Sequence, residues 1–212
     1  HWGFQEESKM ALKSGELLGR PVVKVDVNRD ERIALGKTWL AGTHYLWSDH
    51  NRQAPRYKLA RAAAEDGCKV VLTGDSGDEL FSGYLHHDKR FNPVYCEEMV
   101  NKAKEWRWFP DRVFEFTDDM ANSLFIDLLT TSEQNILATD QTVGLFGMEA
   151  RIPLLTQRYV HYNMSLPTNT RFKQIKGLDL GTTKYLMRVI MKDYLPKHVG
   201  ERTQKSGWSS PW

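Results

Sequence analysis

The spacing of apolar residues at the amino-terminal end predicts a helix, a strand and a second helix. Within residues 6–18, apolar side chains recur at near-helical spacing among charged ones, and Gly19 follows where a carboxyl-terminal cap is expected. The sequence PVVKVDV, residues 21–27, alternates and is β-branched, which predicts a strand. Asp30 then stands where the N-cap of a helix running toward Trp47 is expected.

Beyond residue 50 the pattern predicts one more helix, a buried strand and then a largely helical half. The helix lies near 53–66 and ends at Gly67, and KVVLT, residues 69–73, is typical of a short strand buried in a parallel sheet. Further helices, separated by prolines, are predicted near residues 95–107, 118–137, 140–147, 156–164 and 182–193. This order indicates an α/β fold, a parallel sheet flanked by helices, with a helical carboxyl-terminal half.

Composition narrows the class of protein. The 212 residues carry 29 basic and 27 acidic side chains, a net charge of +2 that gives no strong attraction to nucleic acid or anionic membranes. No apolar run approaches the ~20 residues of a membrane span. Two cysteines, Cys68 and Cys96, form neither a disulfide framework nor a zinc-binding spacing. We therefore expect a cytoplasmic protein that acts on small molecules.

The most informative stretch is VVLTGDSGDELFSGY, residues 70–84, in which glycines and acids follow the predicted strand. Ligands of open α/β sheets bind beyond the carboxyl ends of strands, which here means beyond Thr73. Gly74 and Gly77 allow a sharp turn with exposed N–H groups, and a helix starting near Asp78 would add the positive end of its dipole. These features favour an anion such as phosphate.

Three carboxylates in the same turn would repel a bare phosphate, so a hard cation is expected between them. We predict that Asp78 is a ligand of Mg²⁺, that Asp75 faces the reacting centre and that Glu79 supports it. The alternative is that Asp75 and Asp78 only cap the following helix. Three acids within five positions favour the magnesium interpretation.

The segment GDSG, residues 74–77, also resembles a serine-hydrolase signature with Ser76 as nucleophile. That signature belongs to an all-β fold, and its chemistry needs a histidine oriented by a carboxylate. The predicted surroundings are α/β and helical. An α/β-hydrolase elbow would require Gly-x-Ser-x-Gly, and Asp78 stands where the last glycine belongs. We therefore set a nucleophilic Ser76 aside.

Residues 70–84 resemble the strand, loop and helix of the synthetase domain of the asparagine synthetase family. GMEARIPLL at 147–155 resembles its Gly-x-Glu-x-Arg-x-Pro-Phe-Leu segment, and residues 183–211 resemble its Lys-x-x-Leu-Arg…Leu-Pro…Arg-x-Lys-x-Gly-Phe region. Residues 7–27 resemble the preceding helix and strand. The resemblance implies one incomplete synthetase domain over 1–212, with an α/β part (1–90) and a mainly helical part (91–212), in an adenine nucleotide alpha hydrolase-like fold.

The resemblance also implies an activity. The family activates a carboxylate with ATP and Mg²⁺, releases pyrophosphate and lets ammonia or an amine attack the acyl-adenylate. In this interpretation Asp75 serves the adenylate step and Lys205 is the lysine of the carboxyl-terminal loop, whose charge would stabilise the transition state. The candidate residues are Asp75, Lys205 and Glu149 for catalysis, Thr73, Gly74, Ser76, Gly77 and Lys184 for the nucleotide, and Asp78 and Glu79 for the metal.

Two of these candidates have simpler alternatives. Glu149 and Arg151 are also expected to form a buried or half-buried ion pair that holds the helical layer onto the sheet. Lys184 and Arg188 lie four apart on one predicted helix face and serve either as phosphate contacts or as a charged surface.

The sequence departs from the family in ways that leave the function open. The Ser-Gly-Gly-x-Asp-Ser loop does not occur in these 212 residues, and SGWSS at 206–210 echoes it without an aspartate. Asn51 stands where the family has an arginine, which leaves the acyl substrate open, and the resemblance implies aspartate or an analogue. The chain is expected to be a fragment, part of a split enzyme, or a catalytically inactive member acting as a binding or assembly module, and its start at His1 favours the first two. A glutaminase domain or subunit and a homodimer are the expected partners.

Overall fold

The structure is a computed structural model that describes residues 2–44, 50–84, 97–98, 101–102, 105, 119–171 and 183–201. Within these ranges no helix has both the length and the apolar content to cross a membrane. The longer helices are α1 (Trp2–Leu17), α2 (Arg29–Thr43), α3 (His50–Glu65), α5 (Asp119–Asp127), α6 (Glu133–Gly144), α7 (Gln157–Ser165) and α9 (Tyr185–Met191). The shorter elements are strands β1 (Val70–Leu72) and β2 (Glu149–Arg151), and helices α4 (Gly77–Leu80), α8 (Thr168–Arg171) and α10 (Lys197–Gly200).

The chain forms two compact units, each assembled from separate stretches. The first comprises His1–Thr73, Gln134–Arg151 and Tyr194–Trp212. The second comprises Gly74–Glu133 and Ile152–Asp193.

The core of the first unit lies where α3 and α6 meet the sheet. Small side chains dominate it, with Ala60, Val143 and Met148 buried at its centre and Val71 and Ala150 packed against it from the two strands. On α2 the fully buried Trp39 donates its indole N–H to Thr142 Oγ1 of α6 at 2.6 Å. A buried indole N–H needs such an acceptor, so this bond fixes the packing of α2 on α6.

A polar contact joins the first and last described helices of this unit. His198 on α10 lies 3.0 Å from Ser14 Oγ on α1 and 3.3 Å from the Met10 carbonyl oxygen. Ser14 Oγ donates its proton to the same Met10 oxygen at 2.7 Å, so the imidazole N–H is the donor to both oxygens.

The sheet is parallel and, among the described residues, has two strands. Val70, Val71 and Leu72 pair with Glu149, Ala150 and Arg151, and the Thr73 N–H extends the ladder to the Arg151 carbonyl at 3.0 Å. The predicted strand at 69–73 is confirmed, but its predicted burial is wrong, since Val70 is 42% and Leu72 73% exposed. Only alternate residues of this short strand face the core cluster, because successive side chains point to opposite faces.

The prediction of a strand at 21–27 is wrong. In the structure these residues form no strand, and Val22 and Val23 are both exposed. The segment instead runs close to α1, where a Cβ on Gly15 would collide with Val22 and lie 2.7 Å from the Arg20 carbonyl oxygen. β-branched alternation is thus not sufficient for a strand, which also needs a neighbouring strand to pair with.

The predicted cap at Asp30 is also wrong. Asn28 is the N-cap of α2, and its side chain accepts a hydrogen bond from the Glu31 N–H at 2.8 Å. Asp30 lies within the first turn, where its charge still favours the helix dipole. The helix ends at Thr43, with His44 in a left-handed conformation at φ 55°.

The second unit is built around Leu80, Phe81, Leu128 and Met164, which are all buried. Side chains from α5, α7 and α9 pack against this cluster, among them Phe125, Tyr159 and Leu186. Leu80 and Phe81 therefore anchor the residues that follow β1 in the apolar core of the second unit.

Two of the five helices predicted in the second half are confirmed, and the prediction of a separate helix at 140–147 is wrong, because α6 runs from Glu133 to Gly144 across the predicted break. The one predicted at 118–137 is divided, since α5 passes into a π-helix at Leu128–Ser132 before α6 begins. The predictions at 156–164 and 182–193 correspond to α7 and α9. The half is not purely helical, because it contributes strand β2. Most of the predicted helix at 95–107 lies outside the described residues.

Candidate functional site

Residues 74–84 form a tight turn of the second unit, called the acidic turn below. Helix α4 within it is only four residues long and is closed by a hydrogen bond from the Leu80 N–H to the Ser76 carbonyl at 3.0 Å. Ser76, at φ 70°, is the N-cap residue and makes no side-chain capping bond. The alternative in which Asp75 and Asp78 cap this helix is therefore wrong, because neither is at the cap position.

Backbone geometry makes the acidic turn unusual. Ser76 and Ser82 adopt left-handed conformations, at φ 70° and 52°, which cost L-residues about 1–2 kcal/mol each and favour glycine. Both residues are buried, and the chain folds back so that the Gly83 N–H donates to the Asp78 carbonyl at 2.8 Å. The surrounding structure holds the turn in this conformation.

Lys184 joins the acidic turn at two points. Its ammonium lies 3.1 Å from Asp78 Oδ1, and its backbone N–H donates to the Phe81 carbonyl at 3.0 Å. About a third of each side chain is exposed, so the pair lies at the surface and still reaches solvent. Lys184 is the left-handed N-cap residue of α9, so the prediction that it shares a helix face with Arg188 is wrong.

Glu79 points into the unit instead of toward solvent. It is 2% exposed and accepts a hydrogen bond of 2.6 Å from the Tyr84 hydroxyl. Burial raises the pKa of the Glu79 carboxyl above its usual value, and the nearby Asp78 and Asp127 carboxylates act in the same direction against the Tyr84 bond. Burial and Glu79 likewise raise the pKa of the Tyr84 hydroxyl.

Glu149 lies on β2 in the first unit. Arg151 donates to both of its carboxylate oxygens, at 3.0 and 3.3 Å, and this bond lowers the pKa of Glu149. The predicted ion pair is confirmed, but its predicted burial is wrong, because both side chains are about 60% exposed. An exposed pair of this kind contributes roughly 0–1 kcal/mol and does not hold one layer onto another.

The remaining predicted residues fall into three groups. Gly74 and Asp75 are the more accessible members of the acidic turn, whereas Ser76 and Gly77 are buried. Thr73 belongs to the first unit, at the end of β1. Lys205 lies outside the described residues.

Comparison with known proteins identifies the family. The family model described as asparagine synthase matches residues 3–212. The chain belongs to the asparagine synthase family. The predicted family and its α/β fold with a parallel sheet and many helices are thereby confirmed.

Several asparagine synthetases named as glutamine-hydrolyzing are similar to this chain. The protein of Brassica oleracea is 27% identical over 150 residues, and asparagine synthetase 2 of Arabidopsis thaliana is 28% identical over 151 residues. Asparagine synthetase 2 of Oryza sativa subsp. japonica is 27% identical over 151 residues. Each match covers 68% of this chain and 21% of the relative, so the chain spans about a fifth of the length of these family members.

Sequence reasoning missed the residues that support the acidic turn from inside. Tyr84 and the buried Asp127 were not singled out, although both lie near Glu79. The sequence signal was local, a tyrosine five positions after a glutamate with Leu80 and Phe81 between them. Asp127 lies near Glu79 because of the way helix α5 packs in the unit, and a single sequence does not show that packing.

Proposed function

We propose that this chain forms the nucleotide-binding part of an ATP-dependent, amide-forming synthetase. It would adenylate a carboxylate, release pyrophosphate and pass the acyl group to ammonia or an amine. Membership of the asparagine synthase family supports this proposal. The observation that carries it is the pairing of Asp78 with Lys184 at 3.1 Å on the acidic turn, which offers a carboxylate and an ammonium side by side.

The donor chemistry fits a magnesium-bound polyphosphate. Mg²⁺ keeps several waters and is commonly held by one or two carboxylates together with substrate phosphates. Among the described residues there is no group of three or more His, Cys, Asp or Glu arranged to hold a metal ion, so an all-protein cage is not present there. Asp78, which keeps contact with solvent, would be the protein ligand, and bound Mg²⁺ would neutralise the phosphate charge.

The other acidic and basic residues take distinct roles in this proposal. Asp75, partly exposed, would face the reacting centre, while buried Glu79 would support the turn from inside rather than reach the metal. Lys184 would exchange its partner from Asp78 to a phosphate oxygen. Lys205 would stabilise the developing negative charge. We also propose a catalytic role for Glu149, whose carboxylate would first have to be released from its hydrogen bond with Arg151.

The nucleotide would be bound mainly through backbone. In this proposal Thr73 and Gly74 contact it where the strand ends, and no side chain at Gly74 would meet a neighbour within 4 Å, which leaves room for a close approach. Ser76 and Gly77 would contribute backbone N–H groups in this proposal, since Gly77 has no side chain and the side chain of Ser76 is buried.

We propose aspartate or an analogue as the acyl substrate, and a glutaminase domain or subunit as the source of ammonia. The second proposal is supported by the names of the relatives, which are described as glutamine-hydrolyzing. We also propose that the protein is cytoplasmic and forms a homodimer.

Isothermal titration of the full chain with Mg-ATP tests it directly. We expect saturable, magnesium-dependent binding that Asp78→Asn and Lys184→Met each weaken by at least tenfold, because each removes one charge from the site. A matched control is available, since Lys24 and Asp26 form another lysine–aspartate pair, at 2.9 Å, in the first unit. Asp26→Asn should leave the affinity unchanged.

Binding that is equally insensitive to Asp78→Asn and to the control would refute the assigned site. No binding at all would refute the enzymatic proposal and favour an interaction or assembly module with the same fold. Pyrophosphate release in the presence of a carboxylate substrate provides the second measurement, and release that survives both Asp75→Asn and Lys205→Met would remove those two role assignments.

A further inference from the structure

A hydrogen bond joins the last residue of the acidic turn to a residue in its middle. Tyr84, its last residue, donates to Glu79 Oε1 at 2.6 Å, and Glu79 is the neighbour of Asp78 along the chain. The acceptor is 2% exposed, so water does not compete for it. A short bond to a carboxyl in such surroundings is stronger than the same bond in water.

The backbone beside this bond is packed against Asp78. The Gly83 N–H donates to the Asp78 carbonyl at 2.8 Å, and a Cβ on Gly83 would lie 2.7 Å from the Asp78 Cα. Residues 83 and 84 thus each donate a hydrogen bond to the neighbouring pair, residues 78 and 79. Ser82 adopts φ 52°, a conformation that an L-residue keeps only when its surroundings enforce it.

We propose that Tyr84 is a positioning residue, whose hydroxyl holds Glu79 and thereby fixes the acidic turn in the conformation that presents Asp78. This inference rests on the proposed function for the identity of the ligand. The positioning of the turn itself is a property of the protein alone. The two parts can therefore be measured separately.

Hydrogen exchange of the backbone amides of residues 76–83, measured by mass spectrometry or NMR on the full chain, tests the first part. We expect Tyr84→Phe, which removes one hydroxyl, to accelerate exchange there about five- to tenfold, the effect of losing one net hydrogen bond. Tyr159→Phe is the matched control. Its side chain packs on the same apolar cluster, and among the described residues no hydrogen bond joins its hydroxyl to the turn. It should leave exchange in residues 76–83 unchanged.

The acceptor side gives an independent comparison should Tyr84→Phe fail to fold. Glu79→Gln keeps an oxygen that can accept from Tyr84, whereas Glu79→Met does not. We expect the turn of the Gln variant to exchange at the rate of the unmodified protein and that of the Met variant to exchange faster. Equal exchange in both variants would refute the role of the bond.

Titration with Mg-ATP tests the second part. We expect Tyr84→Phe to weaken binding about tenfold while Tyr159→Phe does not. Faster exchange with unchanged affinity would show that the bond stabilises the turn but does not position the ligand site, and would refute the inference. Unchanged exchange would refute it as well. If the unmodified protein binds no Mg-ATP, the proposed function fails, and the exchange data still decide whether Tyr84 holds Asp78 in place.

Discussion

Replacing Gly83 by alanine should damage the acidic turn without adding charge or polarity. The new Cβ would lie 2.6 Å from Cε of Lys184 and 2.7 Å from Cα of Asp78, and it would collide with the Asp78 carboxylate. The lysine chain can move aside, but the Asp78 backbone can move only if the turn opens. The substitution should therefore separate residue 83 from Asp78 and disturb the Asp78–Lys184 pair.

Three contributions set the size of the effect. Forcing a methyl group into a packed site costs about 1–3 kcal/mol. Loss of the hydrogen bond from the Gly83 N–H to the Asp78 carbonyl adds about 1 kcal/mol. The partly exposed ion pair with Lys184 adds no more than about 1 kcal/mol. We expect the unfolding free energy to fall by roughly 2–4 kcal/mol, since relaxation recovers part of the packing cost.

Urea denaturation of the full chain measures this loss, and Tm should fall by roughly 2–4 °C for each kcal/mol. Gly144→Ala is the matched control, because Gly144 ends helix α6 and a Cβ there meets nothing within 4 Å. That variant should be as stable as the unmodified protein or more stable by up to about 1 kcal/mol. If Gly83→Ala were as stable as Gly144→Ala, the packing of Gly83 on Asp78 would not hold in solution.

Three further substitutions test other contacts and another backbone position. Thr142→Val removes the buried oxygen that accepts the Trp39 indole N–H, so urea denaturation should show a loss of about 1–2 kcal/mol, and no loss would refute the importance of that bond. The bond from Lys58 lowers the pKa of Glu31 below its ordinary 4.5, so the stability it confers is present above pH 4.5 and is lost as the pH falls through the lowered value. Glu31→Gln should therefore flatten the acid side of a plot of Tm against pH, and an unchanged slope would contradict this. Ser76→Gly relieves a left-handed serine and should raise stability by up to about 1 kcal/mol, whereas a lower Tm would show that the side chain contributes more than its backbone costs.

Several helices were predictable from the sequence, either because apolar residues recur at helical spacing, as in α1 and α7, or because a glycine marks the helix end, as Gly67 does after α3. The strands were harder to predict from the sequence than the helices. Residues 21–27 have the composition of a strand but no strand neighbour within the described chain, while Glu149–Arg151 pair in the sheet with a polar sequence that predicts nothing. A strand depends on a distant partner, so the pairing of Val70 with Glu149 cannot be read from either segment alone.

The candidate site was predictable in its residue types but not in their orientations. Asp78 and Lys184 were both singled out, yet their ion pair required knowledge of how α9 returns to the turn. Glu79 was expected at the metal and instead is buried and hydrogen-bonded to Tyr84, because neighbouring residues on a single helical turn point about 100° apart.

The contact between Ser14 and His198 also bears on how the protein reaches its native state. It joins segments separated by nearly the whole described chain, and closing so long a loop is slow because its entropy is lost before any contact forms. During synthesis the first unit must wait for residues from 194 onward, which are made after all the residues of the second unit. A nascent chain arrested before residue 194 should thus keep the α1 surface open to chaperones and proteases.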